Sequence, residues 1–293
     1  MIINGREALA TIARALPLVL FRAGVFVAGG FMVIIFFGML LFASRIAGGA
    51  GPVVIIVVPV LAILGGWICG RVLQRFFLFR HRAAMLFLFS GRAPIPVGLT
   101  GAIEESKRLI PDHSCWVLLN RGLRQALFAF IRGNRVLPAP PAADRPWVLT
   151  QIMDLLAMRP LSQAVLALAY ARGSMDAGQA VREALALYFR HGLESRRQAR
   201  MWLLFSAAGQ FFLFLCLAVP NWIFFRGAGI PVWIGVVLAA VIARLLHRAF
   251  VVPLELAGLS TALLAETRGR VPDLESCEKL AALFPDAALA NKF

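Results

Sequence analysis

The sequence predicts an all-α membrane protein in which two transmembrane helical hairpins flank a cytoplasmic helical bundle. Three observations predict it. Four uncharged apolar runs fall in two pairs, Ala23–Ser44 with Ile46–Gly70 and Met201–Phe225 with Gly227–Ala243. Between the pairs lies Arg71–Arg200, which holds 19 of the 30 Lys/Arg against 8 of the 15 Asp/Glu, so +11 of the +15 net charge sits there. Within that middle segment the apolar residues recur at helical spacing and never alternate.

Composition supports the membrane reading. A chain that is 60% hydrophobic and 15% charged has more apolar surface than one core of this size buries. The first three runs are long enough to cross a hydrocarbon layer of roughly 30 Å as helices. The fourth reaches that length if Arg244 snorkels and the helix runs on through Ala249, Phe250, Val251 and Val252. Lys and Arg are retained on the cytoplasmic side, and only Arg45 and Arg226 lie in the short connections of the two pairs. Both termini and the middle are therefore expected inside. The expected divisions are residues 1–75 (N-terminal amphipathic helix and first hairpin), 76–200 (cytoplasmic helical domain), 201–252 (second hairpin) and 253–293 (cytoplasmic tail).

In chain order, Asn4–Phe21 is expected to be a helix approaching the membrane, with Leu9, Ile12, Ala13, Leu16 and Leu20 on its apolar side and Arg22 snorkelling at the interface. Pro59 and Gly65-Gly66 predict a bend in the second spanning helix. The apolar run Ala83–Phe89 closes at the turn GRAPIP. A surface helix follows over Val97–Ile110, with Ala102, Ile103, Leu109 and Ile110 among its apolar positions. Asp112 is placed to cap the next helix, whose stripe is Trp116, Leu119, Leu123, Leu127, Phe130 and Ile131.

The proline-rich stretch Val136–Pro146 reads as a semi-rigid spacer. After it, Trp147–Met158 is expected to precede a separate helix that begins near Pro160. Ser174 or Asp176 would cap a long helix carrying Val181, Leu185, Tyr188, Phe189 and Leu193, with Arg196, Arg197 and Arg200 in its last turns before the membrane. The tail after Pro253 is expected to hold a short helix capped by Asp273. The two hairpins match one another at their outer turns (Arg45–Pro52 with Arg226–Pro231), at their inner exits (Arg71–Phe77 with Arg244–Phe250) and beyond, at Gly91-Arg-Ala-Pro94 and Gly269-Arg-Val-Pro272. This is a hint of duplication that positive-inside selection and turn chemistry explain equally well.

Several chemistries find no residues to carry them. There is no HExxH, GxSxG or phosphate loop, nor a paired carboxylate at membrane depth, so neither catalysis nor a cofactor is expected. Cys69, Cys115, Cys216 and Cys277 are scattered without CxxC spacing, and no metal site is expected. Aromatics are not interleaved with the arginines as stacking platforms would be, which argues against nucleic acid.

The stretches LFSGRAPIPVGLTGAIEES and ARGSMDAGQAVREALALYFRHGLESRRQARM carry a family resemblance. The second departs from the family pattern at Ala171-Arg172. With the two flanking hairpins, they resemble the inner-membrane platform proteins of type II secretion and type IV pilus machines, in particular their tight-adherence branch. The resemblance implies a multi-pass, non-enzymatic scaffold of the cell inner membrane, assembled as a homo-oligomer. Its helical domain would face a cytoplasmic motor ATPase and pilus or secretion subunits. On that reading the partner-binding residues are the basic rims Arg121, Arg124, Arg132 and Arg196, Arg197, Arg200. Attraction to anionic membrane lipids, worth about 1 kcal/mol per residue near the surface, is the other expected use of these arginines. The pattern RI…GP…VVPVLAILGG…FF also looks like the last hairpin of choline-transporter-like proteins. That likeness implies the alternative of a small-molecule or lipid transporter, for which Gln210 is the polar side chain of interest.

Overall fold

In the computed structural model, residues 5–46, 79–91, 99–131, 148–173, 177–227 and 232–283 are described. Residues 47–70 of the second apolar run, the spacer at 136–146, Arg132, and the cap candidates Ser174 and Asp176 lie outside them. Among the described residues every regular element is helical: α1 (Gly5–Arg14), α2 (Leu16–Ile46), α3 (Phe79–Phe89), α4 (Leu99–Leu109), α5 (His113–Ile131) and α6 (Val148–Arg172) come first. They are followed by α7 (Ala177–His191), α8 (Leu193–Gly227), α9 (Val232–Leu246), a π-helical turn (His247–Val251), α10 (Val252–Thr267) and α11 (Leu274–Leu283). Three helical stretches among the described residues are long and apolar enough to cross a membrane: Ile152–Arg172, Glu194–Gly227 and Gly235–Thr267.

Those three differ in surroundings. In Glu194–Gly227 only 11% of the most apolar window is buried, whereas in Ile152–Arg172 the share is 56%. The first is an apolar helix exposed along most of its length, with Phe211, Phe212, Val219, Ile223 and Phe224 outward. The second is enclosed by protein in its later half, with every residue from Ala164 to Tyr170 buried.

The chain divides into two compact units, one comprising Met1–Leu18, Arg80–Ala207 and Val252–Phe293, the other Val19–Phe79 and Ala208–Val251. In the first unit α6 packs against α5, α7 and α10, α10 packs also against α1, and α11 against α7. Tyr170 of α6 ties this core together. Its hydroxyl donates to the Ser106 carbonyl of α4 at 3.0 Å, and its ring meets Phe87 of α3 edge-on at 6.0 Å. The helices α3, α6 and α10 each end at a glycine of positive φ: Gly91 (71°), Gly173 (69°) and Gly269 (69°). Only glycine enters that region without strain, so the same stop is used three times in one unit.

Asp112 caps α5 as its position predicts, its Oδ1 accepting the Cys115 N–H at 2.6 Å. Trp116, Leu123, Leu127 and Phe130 are buried beneath α5, while Leu119 and Ile131 are half-buried.

Elsewhere the helices run differently from the sequence expectation. Trp147–Met158 and the helix expected at Pro160 are one element over the described residues: α6 is continuous with Pro160 inside it. The carbonyl that Pro160 strips of its donor belongs to Leu156, whose side chain is 61% exposed, and the Ser162 hydroxyl bonds the neighbouring Arg159 carbonyl at 2.8 Å. The long helix expected to end at Arg200 instead breaks at Gly192, where a Cβ would lie 2.5 Å from both the Tyr188 ring and its carbonyl. The chain restarts there as α8, a single 35-residue helix. Pro253, expected to mark the start of the tail, is not a helix boundary. It sits one residue into α10, and its missing donor coincides with the π-helical turn that joins α9 to α10.

The apolar side expected for Asn4–Phe21 is also not the buried one: Leu9, Leu16 and Leu20 are exposed, whereas Thr11, Ala15, Leu18 and Val19 are buried. Arg22 is buried rather than snorkelling, with its guanidinium 5.5 Å over the Phe26 ring.

In the second unit, Gly235 of α9 meets the Phe225 ring and the Asn221 carbonyl of α8, which a Cβ would approach to 3.0 and 3.2 Å. Further along the same pair, Arg244 Nη1 donates to Gln210 Oε1 at 2.6 Å. Gln210 thus makes a helix-to-helix hydrogen bond, and Arg244 is its donor.

Candidate functional site: the crossing of α8 and α10

The densest polar chemistry in the first unit lies where the start of α8 runs antiparallel to α10. The first amides of any helix lack intrahelical partners. In α8 they are satisfied from another element: Glu266 Oε1 accepts the Glu194 N–H at 3.1 Å, and Oε2 accepts the Ser195 N–H at 3.0 Å together with the Ser195 hydroxyl. A carboxylate at this end also complements the helix dipole.

Two turns on, Trp202 of α8 covers Gly258 of α10, where a Cβ would lie 2.5 Å from the indole Cζ2. One turn further, the Ser206 hydroxyl bonds the Glu255 carboxylate. Both of these side chains are only 6% exposed. Ser195 and Ser206 are 11 residues apart, and so are Glu255 and Glu266. Eleven residues is about three helical turns, which keeps each pair on one face. The result is a serine–glutamate clamp at either end of a tryptophan–glycine contact.

The same part of α8 is held from two further sides. The Arg196 guanidinium lies 4.9 Å over the Phe130 ring of α5, and that ring stacks on Phe189 at 4.2 Å. Arg200 Nε is 3.3 Å from Asp154 Oδ1 of α6. Their side chains are 29% and 13% exposed, so this ion pair is screened much less than a surface pair. Beneath them Tyr188 is buried, and burial raises its pKa above that of an ordinary phenol.

Of the six arginines that the sequence singled out, the structure therefore turns two inward, Arg196 and Arg200. Arg121 and Arg124 on α5 and Arg197 on α8 are exposed, and Arg132 is outside the described residues. The rims are not one surface. Arg196 and Arg200 hold α8 in place, while Arg121 and Arg124 face away from the buried side of α5.

Sequence reasoning passed over Glu255, Glu266 and Asp154. The signal was present for Glu255: a lone carboxylate follows an apolar run with no acidic residue before it. Assigning Pro253 as the helix boundary put Glu255 in a tail.

Cys115, half-buried at the start of α5, has its thiol pushed up to about 11 by burial and by the neighbouring Asp112 charge. Among the described residues no three His, Cys, Asp or Glu side chains converge to hold a metal. No family model, curated protein or solved structure matches the chain.

Proposed function

We propose that the chain is a non-enzymatic membrane scaffold. Two helical hairpins of the cell inner membrane, with both termini inside, present a basic helical domain to a secretion or pilus assembly machine. The observation that supports this most is α8 itself. Its first two turns are fixed within a packed helical unit by Glu266, Arg196 and Arg200, and its later part is an apolar rod with phenylalanines outward. A helix start fixed in this way by its neighbours suits a part that presents a set surface rather than one that reshapes around a substrate. The family resemblance of the two glycine-containing stretches adds the identity of the partners: a motor ATPase, pilus or secretion subunits, and further copies of the chain.

Cross-linking in intact membranes followed by identification of the captured proteins tests this reading. The expected captures are the chain itself and a cytoplasmic assembly ATPase, with Arg197→Gln lowering the second. Capture of neither would contradict it.

Transport is the second reading, and Glu255 favours it. An acidic side chain buried inside the apolar stretch Gly235–Thr267, with a serine as partner, costs stability that a leucine would not. Buried ionisable groups of this kind mark ion and substrate paths. A solute or proton flux in vesicles that depends on the chain and is lost in Glu255→Gln would select transport over the scaffold. Vesicles without flux would leave Glu255 as a structural clamp.

A further inference from the structure

The outward face of α5 combines three features. Arg121 and Arg124 are both exposed there, Val117 is 46% exposed and Leu118 40%, and the sequence His113–Ile131 contains no acidic residue. At 3.6 residues per turn Val117, Leu118, Arg121, Arg124 and Gln125 occupy about a third of the helix circumference. The opposite side holds Trp116, Leu123, Ala126, Leu127 and Phe130, all buried. The face is therefore amphipathic in its own right, with two aliphatic side chains and two cations next to them. Asp112, the acid next to α5 in the chain, is engaged in capping it, and Glu104 and Glu105 of α4 pair with Lys107 and Arg108 of their own helix.

We propose that this face of α5 lies against an anionic lipid surface, with Val117 and Leu118 at the headgroup–acyl boundary and Arg121 and Arg124 on lipid phosphates. The inference rests on the reading of the chain as a membrane protein. Its physical basis is charge complementarity together with proximity. An interfacial helix pairs aliphatic side chains with arginines, whose long stems let the guanidinium reach the headgroups while the aliphatic part stays in apolar surroundings. In a chain already embedded by its apolar helices, lipid headgroups are present at high effective concentration, so weak attraction suffices. Each arginine is worth about five-fold in the contact equilibrium and the two together roughly 30-fold. An acidic protein would use the same cations, but it would not call for aliphatic side chains that lie open beside them.

The test uses the full chain reconstituted in vesicles of phosphatidylcholine alone or with phosphatidylglycerol. An environment-sensitive fluorophore is placed at Leu118→Cys, and separately at Phe212→Cys, in a background whose four native cysteines are replaced by alanine. Quenchers are carried on the lipid headgroup or the acyl chain. The expected result is strong acyl-chain quenching at Phe212 in both compositions. At Leu118, headgroup quenching should appear with phosphatidylglycerol, and the contact equilibrium it reports should fall at least ten-fold in Arg121→Gln/Arg124→Gln.

Quenching at Phe212 with a solvent-like signal at Leu118 in both compositions overturns the proposal while leaving the membrane reading intact. A Leu118 fluorophore that is shielded but unquenched assigns the face to protein, a second copy or a partner, and equally overturns it. An unquenched Phe212 overturns the membrane reading itself. Hydrogen exchange of the unmodified chain provides a measurement free of substitutions: amides over His113–Gln125 should slow when phosphatidylglycerol is added, and unchanged exchange counts against lipid contact.

Discussion

Glu266 of α10 caps the N-terminus of α8 through Ser195, accepting both its amide at 3.0 Å and its hydroxyl. The two residues are 71 positions apart in the chain. A helix that opens on its own N-cap takes its acceptor locally, whereas two of the first amides of α8 take theirs from α10. Replacing Glu266 by alanine removes about 1 kcal/mol from this end. Amides 194–196 are expected to exchange about five-fold faster, with Glu266→Gln intermediate because it keeps one acceptor. Hydrogen exchange with residue resolution checks this, and unchanged protection at Ser195 would show that the cap contributes nothing.

The Trp202–Gly258 contact makes the crossing intolerant of bulk. Gly258→Ala puts a methyl 2.5 Å from the indole ring and is expected to destabilise the folded chain by about 1–3 kcal/mol. Trp202→Leu in the same chain should recover much of that loss, because the two changes act on one contact. Thermal unfolding of both single variants and the double variant in one detergent measures the coupling. Strict additivity would place the cost elsewhere.

The Asp154–Arg200 pair is expected to behave as a partly buried ion pair. Arg200→Gln alone leaves a carboxylate with little solvent and should cost about 2–3 kcal/mol, whereas Asp154→Asn/Arg200→Gln should cost less than the sum of the two single changes. The same double-mutant cycle by thermal unfolding reads this out. A coupling near zero would make the pair incidental.

Cys115 supplies the pH dependence. Its thiol is shifted from 9.0 to about 11, so it remains protonated at neutral pH and should react with a maleimide on the order of 100-fold more slowly than an unperturbed thiol. The sign for stability follows from the neutral form being the one that the fold favours. The contribution is intact below about pH 9 and is lost as the pH rises towards about 11. Alkylation rates measured across that range test the shift, and a midpoint already near pH 9 would refute it.

The sequence shows most of what depends on short range. The Asp112 cap and the buried stripe of α5 follow from spacing and side-chain type, and the structure contains both. What could not be read depends on partners far away in the chain. Arg196 and Arg200 look like a basic rim because Phe130 and Asp154, which engage them, belong to other helices. Glu255 and Glu266 have no periodic signature, since their role is set by the antiparallel register of α8 against α10. Prolines mislead twice in the same way: Pro160 and Pro253 look like boundaries, yet α6 runs through the one, and a π-helical turn carries the α9–α10 stretch to the other.

Membrane topology tests the central claim most directly. Reporters fused after Gly48, after Gly133, after Gly227 and at the C-terminus distinguish the two sides of the membrane. Two hairpins with a cytoplasmic helical domain require an outside signal at Gly48 and Gly227 and an inside signal at Gly133 and the C-terminus. An inside signal at Gly48 or Gly227, or an outside signal at Gly133, would contradict the scaffold at its foundation.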